Sequence, residues 1–373
     1  MVDIFICGDI INQFSENNFI GPQMMSIIKD ADYSIGNFEG VLPYDGMNCF
    51  GMVQMPTTLD TLKSAGFKML LLSNNHIGDY GKRGFSHTLS EIDKMGFDRT
   101  GAGFTYEEAY TPLIKEINGV RFGFLNVCEA ICCLFKSPAR DFGSAWTGAK
   151  ILEHIIPDIK KRVDYLIVLP HSGLELYDYP LEHTKELYHH YCDLGADLIV
   201  AAHPHVPQGI EKYKGHHIFY SLGNFYFPET VNCNSSLKTN QSFSIVLTFG
   251  DDRSITYKVI YHKIENLTVE VCEKPEKDVE VLSSLLQEPL YSENVGKQNE
   301  YVFDNVVFNL YKDAIFGMSR SLGIVDKLKL ALRLLRPVKE EQAKSYIKSL
   351  HKITQSETYI NLIDSAINRK KLS

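Results

Sequence analysis

The sequence has no long apolar run and no pair of cysteines with the Cys-x-x-Cys spacing. A membrane-spanning helix needs about 18 or more consecutive apolar residues, and no window of this 373-residue chain approaches that length. The eight cysteines include no Cys-x-x-Cys pair, which argues against a zinc-thiolate site or a disulfide framework. Internal repeats and low-complexity segments are also missing. These absences indicate a globular protein, and its hydrophobic content of 44% is enough to build a core.

The first residues, MVDIFICGDII, have neither a basic segment nor a small-residue cleavage site. We therefore expect them to form the first strand of a domain rather than a signal peptide. Cysteines such as Cys7 lie within apolar runs, which suits buried free thiols in a reducing compartment. The sequence thus predicts a cytoplasmic protein.

The charge of the chain is unevenly distributed. Residues 320–373 contain 12 Lys and Arg and 5 Asp and Glu, a net charge of +7, whereas residues 1–319 carry 26 and 41, a net charge of −15. An acidic body argues against nucleic-acid binding. Within the basic segment, Val325, Leu328, Leu332 and Leu335 share one helical face, as in helices that lie on a membrane surface. The alternative is an amphipathic helix that packs on its own domain.

Strand-like and helix-like segments alternate along residues 2–227, which predicts an α/β fold with polar groups at the carboxyl ends of its strands. One of the predicted helices covers 149–162, with an interruption at Pro157. Residues 242–249 and 255–261 predict a β-hairpin, and the chain after residue 301 is mostly helical in pattern. We expect one domain over 1–270 and a helical extension over 271–373.

Two histidines follow a buried, strand-like run at 198–202. His203 and His205 are two residues apart, so on an extended chain their rings point to the same side, and Pro204 between them stiffens the loop. Such a pair is typical of metal ligands, although two histidines on a surface turn would give the same pattern. Other candidate ligands also follow strand-like runs, namely Asp9, Glu39, Asn75 and His171.

This set of oxygen and nitrogen donors contains no thiolate. It suits Mn²⁺, Fe or Zn²⁺, and also Mg²⁺, and a carboxylate can bridge two such ions. Two divalent ions about 3.5–4 Å apart can activate water and bind a phosphate group. The pattern therefore suits a site that holds two divalent metal ions as cofactors and can bind a phosphate group.

Seven short motifs give the chain a family resemblance. They are GDI at 8–10, GNFEG at 36–40, SNNHIGDYG at 73–81, TGAG at 100–103, PHSGLE at 170–175, AAHPHVPQGIE at 201–211 and YSLGNFYF at 220–227. In this order they resemble the capsule-synthesis CapA (poly-γ-glutamate capsule) family, a branch of the calcineurin-like metallophosphoesterases. The resemblance covers residues 3 to about 265. It implies a four-layer α/β/β/α sandwich, with the α-rich C-terminal extension added to it.

The resemblance also implies a role for each candidate residue. Asp9 and His205 would bind the first metal, Glu39 would bridge the two metals, and Asn75, His171 and His203 would complete the second. His76 resembles the histidine that protonates the leaving oxygen or stabilises its charge. Asp79 would orient His76, and Asn224 would support the loop of His203 and His205, although turn chemistry explains both residues equally well.

The chain departs from the pattern of the wider superfamily at two positions. Many superfamily members begin with Asp-x-His, but Ile11 stands two residues after Asp9. They also bridge the metals with an aspartate, where this chain offers Asn37 and Glu39. The first metal site is therefore expected to lack one protein ligand.

Three further residues in or near these motifs have weaker predicted roles. Glu175 and Glu211 are candidates to orient ligand histidines through a carboxylate. Arg83 is a candidate phosphate contact because its guanidinium group matches phosphate geometry; a solvated helix face is the alternative.

The resemblance implies a metal-dependent phosphoric ester hydrolase that acts on a mono- or diester in capsule or surface-polymer synthesis. Polymer-synthesis machinery is the implied partner. The alternative is an accessory protein that keeps the fold and binds polymer or a synthase without turnover. The basic segment 320–373 adds an expected peripheral contact with the membrane.

Overall fold

A computed structural model describes residues 1–15, 18–48, 51–129, 135, 141–228, 239–273, 275 and 277–307. The chain divides into two compact units, Met1–Glu288 and Pro289–Ser373, and the second is described for residues 289–307. The expected division at residue 270 stays a prediction. The basic segment 320–373 and its amphipathic face lie outside the described residues.

The strands of the described chain are β1 Val2–Ile10, β2 Tyr33–Phe38, β3 Met69–Leu71, β4 Asp98–Thr100, β5 Ala102–Gly103, β6 Leu113–Ile117, β7 Val120–Cys128, β8 Gly143–Ser144, β9 Tyr165–His171, β10 Leu198–Val200, β11 Ile210–Tyr213, β12 His216–Phe219, β13 Asn224–Tyr226, β14 Gln241–Phe249, β15 Ile255–Glu265 and β16 Thr268–Val271. The helices are α1 Pro22–Asp30, α2 Thr58–Ala65, α3 Gly81–Lys94, α4 Tyr106–Tyr110, α5 Leu152–Lys160, α6 Glu182–Leu194, α7 Val279–Ser284 and α8 Leu290–Val302, and a π-helical turn covers Phe303–Val307.

In the described part of the chain these strands form two large sheets and a small two-stranded sheet of β5 and β8. The first large sheet has the order β16-β15-β14-β1-β2-β3-β4, with β13 paired to the end of β1. The second has the order β11-β12-β10-β9-β7-β6. The central strands β1 to β4 are parallel, as are β12, β10, β9 and β7, so each sheet has several carboxyl ends along one edge.

The residues of β1 alternate between two apolar layers, because side chains on a strand point to opposite faces. Ile4 and Ile6 pack in a cluster with residues of the second sheet, such as Ile167 on β9. Phe5 and Cys7 point the other way and pack in a cluster with residues of α1, α2 and α3. The two sheets therefore face each other across one core, and helices cover the outer face of the first sheet.

Helices α5 and α6 pack on the second sheet. The fit is close at Gly123 on β7, where an added Cβ would lie 2.7 Å from Cγ2 of Ile159 on α5. The resulting layers are helix, sheet, sheet and helix, which confirms the predicted four-layer α/β/β/α sandwich. Of the C-terminal extension, the described residues show α8 and the π-helical turn.

Two local predictions have different outcomes. The predicted hairpin is confirmed, because β14 and β15 pair antiparallel along their length. The predicted interruption at Pro157 is wrong, since α5 continues through this residue. Leu152, Ile156 and Ile159 are all buried on one face of α5, and their burial outweighs the hydrogen bond that proline cannot donate. Among the described residues, no helix has the length and apolar character needed to cross a membrane.

Candidate metal centre

Both sheets contribute side chains to one buried cluster at their carboxyl edge. Asp9 lies near the end of β1, Glu39 directly follows β2, and Asn75 lies in the loop after β3. His171 ends β9, and His203 and His205 follow β10. We call the following six residues the centre: Asp9, Glu39, Asn75, His171, His203 and His205.

The carboxylate of Glu39 lies in the middle of the centre. Glu39 is 0% exposed, and neither of its oxygens has a hydrogen-bond partner among the described residues. Three imidazole nitrogens surround its Oε1 atom: His76 Nε2 at 3.8 Å, His171 Nε2 at 3.9 Å and His205 Nε2 at 4.0 Å. Burial raises the pKa of Glu39 to about 7.

This arrangement fits a metal ion. A buried carboxylate whose oxygens accept no hydrogen bond is costly. Ligand atoms that each lie about 2.0–2.2 Å from one ion are about 3–4 Å apart from each other, which is the spacing found around Oε1. In addition, ligand atoms of Asp9, Glu39 and His171 all lie within 4.8 Å of one another.

Asp9 is held by the backbone and by Asn37. Its Oδ1 atom accepts a hydrogen bond of 2.6 Å from Nδ2 of Asn37, and its Oδ2 atom accepts one of 3.2 Å from the backbone N–H of His203. Oδ2 also lies 3.3 Å from His205 Nδ1. Asn37 therefore positions a carboxylate in this structure through its amide nitrogen.

A second group of ligand atoms surrounds His171. Its Nε2 atom lies 2.9 Å from Asn75 Oδ1 and 3.1 Å from His203 Nδ1. Burial, reinforced by the neighbouring imidazoles, lowers the pKa of His171 well below its usual value, and burial lowers the pKa of His203 to about 4. Both rings are therefore neutral near pH 7, which is the form that binds metals.

His205 has the opposite electrostatics. Burial disfavours a charge on its ring, but the carboxylates of Glu39 and Asp9 outweigh that cost and raise the pKa of His205 to about 10. Its Nδ1 atom lies 2.8 Å from Oδ1 of Asn224, so Asn224 contacts the ring as predicted. A proton on His205 supplies the positive charge that these carboxylates attract, and a bound cation would take the place of that proton.

The loop of the paired histidines has an unusual backbone. His203 has a φ of +99° and His205 a φ of +60°, in the left-handed region that residues with a side chain rarely adopt. The neighbouring loop supports this shape, because the N–H of Leu176 donates a hydrogen bond of 2.8 Å to the carbonyl of Pro204.

His76 lies at the side of the centre with access to solvent. Its side chain is 25% exposed, and its Nδ1 atom lies 2.6 Å from Oδ2 of Asp79. Burial opposes a charge on this ring, but the hydrogen bond with Asp79 outweighs it, so the pKa of His76 is raised. Asp79 thus holds one side of the ring, and Nε2 faces Glu39.

The structure brings together all eight predicted site residues, which are the six of the centre with His76 and Asp79. The three further candidates, Glu175, Glu211 and Arg83, have different positions. Glu175 Oε1 lies 3.8 Å from His203 Nε2. Glu211 does not contact a ligand histidine; it lies on β11 and pairs with His189 of α6 at 2.9 Å. Arg83 is exposed, stacks over the ring of Tyr44 and donates to a backbone carbonyl, so it belongs to a solvated helix face.

Two buried amides lie beside the centre and have no sequence-predicted role, Gln54 and Asn126. Neither belongs to one of the seven motifs. The available signal was a polar residue in an apolar context, as for Asn126 within the strand-like run that became β7.

Comparison with protein families gives one match over most of the sandwich. A family model described as "Bacterial capsule synthesis protein PGA_cap" matches residues 3–229. The chain is 33% identical over 209 residues to the "PGA biosynthesis protein CapA" of Bacillus subtilis (strain 168), covering 54% of this chain and 55% of that protein. It is 32% identical over 232 residues to the "Capsule biosynthesis protein CapA" of Bacillus anthracis, covering 59% and 56%. The chain thus spans about half the length of these relatives.

Solved structures with a similar arrangement have low sequence identity. A hypothetical protein from Thermus thermophilus is 14% identical with a TM-score of 0.42, covering 69% of this chain and 99% of that one. A 5'-nucleotidase precursor from the same organism is 12% identical with a TM-score of 0.41, covering 79% and 59%.

Proposed function

Because the chain belongs to the family of bacterial capsule synthesis proteins PGA_cap, we propose that it serves surface-polymer synthesis as a metal-dependent hydrolase of a phosphate mono- or diester. The observation that carries the proposal is the buried Glu39 carboxylate, which has no hydrogen-bond partner among the described residues and lies among three imidazole nitrogens. Poly-γ-glutamate or a polysaccharide is the polymer that we propose.

We propose that the centre holds two divalent ions. Asp9, Glu39 and His205 would bind the first, and Glu39, Asn75, His171 and His203 the second. The oxygen and nitrogen donors suit Mn²⁺, Fe or Zn²⁺, and also Mg²⁺. When bound, such ions supply Lewis acidity to a phosphoryl oxygen and lower the pKa of water.

The protein's own proton chemistry is assigned to His76. Its Nδ1–H donates to Asp79, which fixes the ring and favours its protonated form. Its Nε2 atom, on the side of Glu39, is then free to donate a proton to the leaving oxygen of the ester. Asp79 acts on the reaction through His76, so we treat it as a positioning residue.

The test is metal content together with turnover. Protein purified without chelator is expected to contain about two transition-metal ions per chain by elemental analysis, and His203→Ala/His205→Ala is expected to lose them. Turnover of a generic phosphodiester should require the metal. Wild-type protein that contains no metal, and takes up none, would overturn the proposal.

A second candidate function is that of an accessory protein. Ile11 is fully buried in the core two residues after Asp9, so this position supplies an apolar side chain where many superfamily members supply a histidine. A one-ligand deficit suits a protein that binds metal or polymer and recruits a synthase without turnover. Metal-loaded protein that is inert to every phosphoester in a broad screen would favour this function.

We further propose a cytoplasmic protein that touches the membrane periphery. Cys7 and Cys192 are free thiols, as expected in a reducing compartment. The net charge of +7 over 320–373 favours anionic lipid surfaces. Co-sedimentation with vesicles containing phosphatidylglycerol should be lost on deletion of 320–373; full-length protein that does not co-sediment would contradict the membrane contact.

A further inference from the structure

Gln54 is a buried amide that joins the two carboxylate-bearing strand ends. Its Nε2 atom donates to the carbonyl of Ile10, the residue after Asp9, at 2.7 Å and to the carbonyl of Glu39 itself at 2.6 Å. Its Oε1 atom accepts from the backbone N–H of Asn12 at 2.8 Å. Two carbonyl partners and one N–H partner leave a single orientation for the amide group.

These three hydrogen bonds hold the backbone from which the side chains of Asp9 and Glu39 extend. Gln54 is 1% exposed, so a carbonyl that loses this partner has no bulk water to replace it. The amino group of the Gln54 side chain donates both to a carbonyl of β1 and to the carbonyl of Glu39, which directly follows β2. The N–H of Glu39 also donates to the carbonyl of Ile10, at 3.2 Å, so the amide reinforces the spacing of the backbone segments that carry Asp9 and Glu39.

Asn126 plays the same part between the two sheets. It is 1% exposed and lies on β7 of the second sheet. Its Oδ1 atom accepts from the N–H of Ser73 at 2.7 Å, and its Nδ2 atom donates to the carbonyl of Leu169 at 2.7 Å. Ser73 lies two residues before Asn75, and Leu169 lies two residues before His171.

Asn126 connects the two backbone segments that carry Asn75 and His171, two residues of the centre. Asn75 comes from a loop of the first sheet and His171 from a strand of the second, yet their side chains meet at 2.9 Å. No hydrogen bond of either sheet ladder joins these two segments directly in the described pairing. The amide of Asn126 makes that connection.

We propose that Gln54 and Asn126 are positioning residues of the metal centre, with Gln54 setting the spacing of Asp9 and Glu39 and Asn126 that of Asn75 and His171. The inference rests on the proposed function, because it takes these four side chains as ligands. Metal ligation tolerates only small changes in ligand spacing, and groups that hold the ligands typically change metal affinity by about 10- to 100-fold.

The experiment compares Mn²⁺ binding by the full chain and its variants. Gln54→Met and Asn126→Leu remove the amide and approximately keep its volume. Ser34→Ala is the matched control, because Ser34 is buried and its hydroxyl donates to the carbonyl of Ile28 at 2.8 Å, while its strand pairing is with Phe5 rather than with residues of the centre. Circular dichroism of the metal-free proteins establishes that each one is folded.

Titration calorimetry should show the dissociation constant for Mn²⁺ rising about tenfold or more in both amide variants and staying at the wild-type value in Ser34→Ala. The electron paramagnetic resonance spectrum of bound Mn²⁺ should change in the amide variants alone. Where a variant does not fold, Gln54→Asn and Asn126→Asp take its place; the first withdraws the amide by one methylene, and the second cannot donate to Leu169.

Three results are contrary to expectation. Amide variants that bind Mn²⁺ with wild-type affinity and spectrum would overturn the inference and leave the proposed function intact. An equal loss of affinity in Ser34→Ala would overturn it too, because the effect would then follow from any lost buried hydrogen bond. Wild-type protein that binds none of Mn²⁺, Fe²⁺, Zn²⁺ and Mg²⁺ would overturn the proposed function and this inference together.

Discussion

Among single residues, His76 differs from the three histidines of the centre in its exposure. Its side chain is 25% exposed, compared with 1% for His171, 9% for His203 and 11% for His205. A group that exchanges a proton with a substrate needs such access, whereas a ligand is best enclosed. The pairing with Asp79 adds orientation to this access.

Replacing His76 is therefore expected to separate chemistry from metal binding. We expect His76→Gln to lower turnover of a phosphodiester by roughly 10²- to 10⁴-fold, the usual contribution of a general acid, with metal content unchanged by elemental analysis. Asp79→Asn keeps the ring and should lose about tenfold. Turnover in His76→Gln within a few-fold of wild type would remove His76 from the mechanism.

His262 gives a prediction for stability against pH. It is 1% exposed, its Nε2 atom lies 3.1 Å from Ser244 Oγ, and burial lowers its pKa to about 3. The unfolded chain binds this proton near a pH of about 6.5, so the stability held by the neutral ring is fully present above that pH and is lost as pH falls toward the folded-state pKa.

We expect His262 to cost the wild type about 2 kcal/mol of unfolding free energy between pH 7 and pH 5, a loss that His262→Gln should not show. Denaturant unfolding of both proteins at the two pH values measures the difference. Since other groups that titrate are shared, the difference isolates His262. Parallel pH profiles for the two proteins would contradict the assignment.

The sequence predicts the residues of the centre better than the residues that hold it. Asp9, His171 and His203 could be predicted because ligand chemistry restricts residue type and because they follow apolar runs. Gln54 and Asn126 could not, since their partners are backbone groups of segments distant in sequence. Any backbone carbonyl can accept such a bond, so no residue type marks it. Glu211 fails for a related reason, because its partner His189 comes from another element.

Among the elements, β1 lies in close backbone contact with the segment that leads into β13. A Cβ added to Gly8 would lie 1.8 Å from the carbonyl oxygen of Gly223. The backbone of Gly223 cannot yield, because the N–H of Asp9 donates to that same oxygen at 3.1 Å. Glycine at position 8 therefore allows Asn224 to approach the centre.

Gly8→Ala is expected to destabilise the protein by more than about 3 kcal/mol, at the upper end for added volume in a core. Gly123→Ala is the comparison: its Cβ meets the Cγ2 methyl group of Ile159 at 2.7 Å, and a side chain can shift further than hydrogen-bonded backbone, so about 1 kcal/mol is expected. Thermal and denaturant unfolding measure both. Equal losses would show that the approach to Gly223 is not rigid.

The order of the elements could be predicted, but their division between sheets could not. Apolar runs, glycine ends and helical spacing locate α2, whose last turn ends at Gly66 with a φ of +102°. The pairing of β14 with β1, and of β13 with the end of β1, joins segments that lie far apart in the sequence. Alternation along a strand indicates that a face is buried, without indicating which strand lies beside it.

The centre joins the two sheets of the molecule, so a metal bound there would link binding to folding. Metal that binds the folded chain alone should add about 2.7 kcal/mol to the free energy of unfolding at about 100 times the dissociation constant. Thermal unfolding with Mn²⁺ and with a chelator measures this gain. The double variant His203→Ala/His205→Ala should show no gain. A wild type that unfolds identically in both conditions would contradict a centre that spans the sheets.

The left-handed backbone at His203 and His205 limits the transfer of this segment to other proteins. Each such residue costs about 1–3 kcal/mol unless its surroundings enforce the conformation, and here the enforcing contact comes from Leu176, in a loop well before these histidines in the chain. A short peptide with the letters His-Pro-His, or the same letters grafted onto a foreign loop, would relax to an ordinary turn. Many sequences can contain His-Pro-His, but we expect the motif to form this backbone only where a second loop stabilises it.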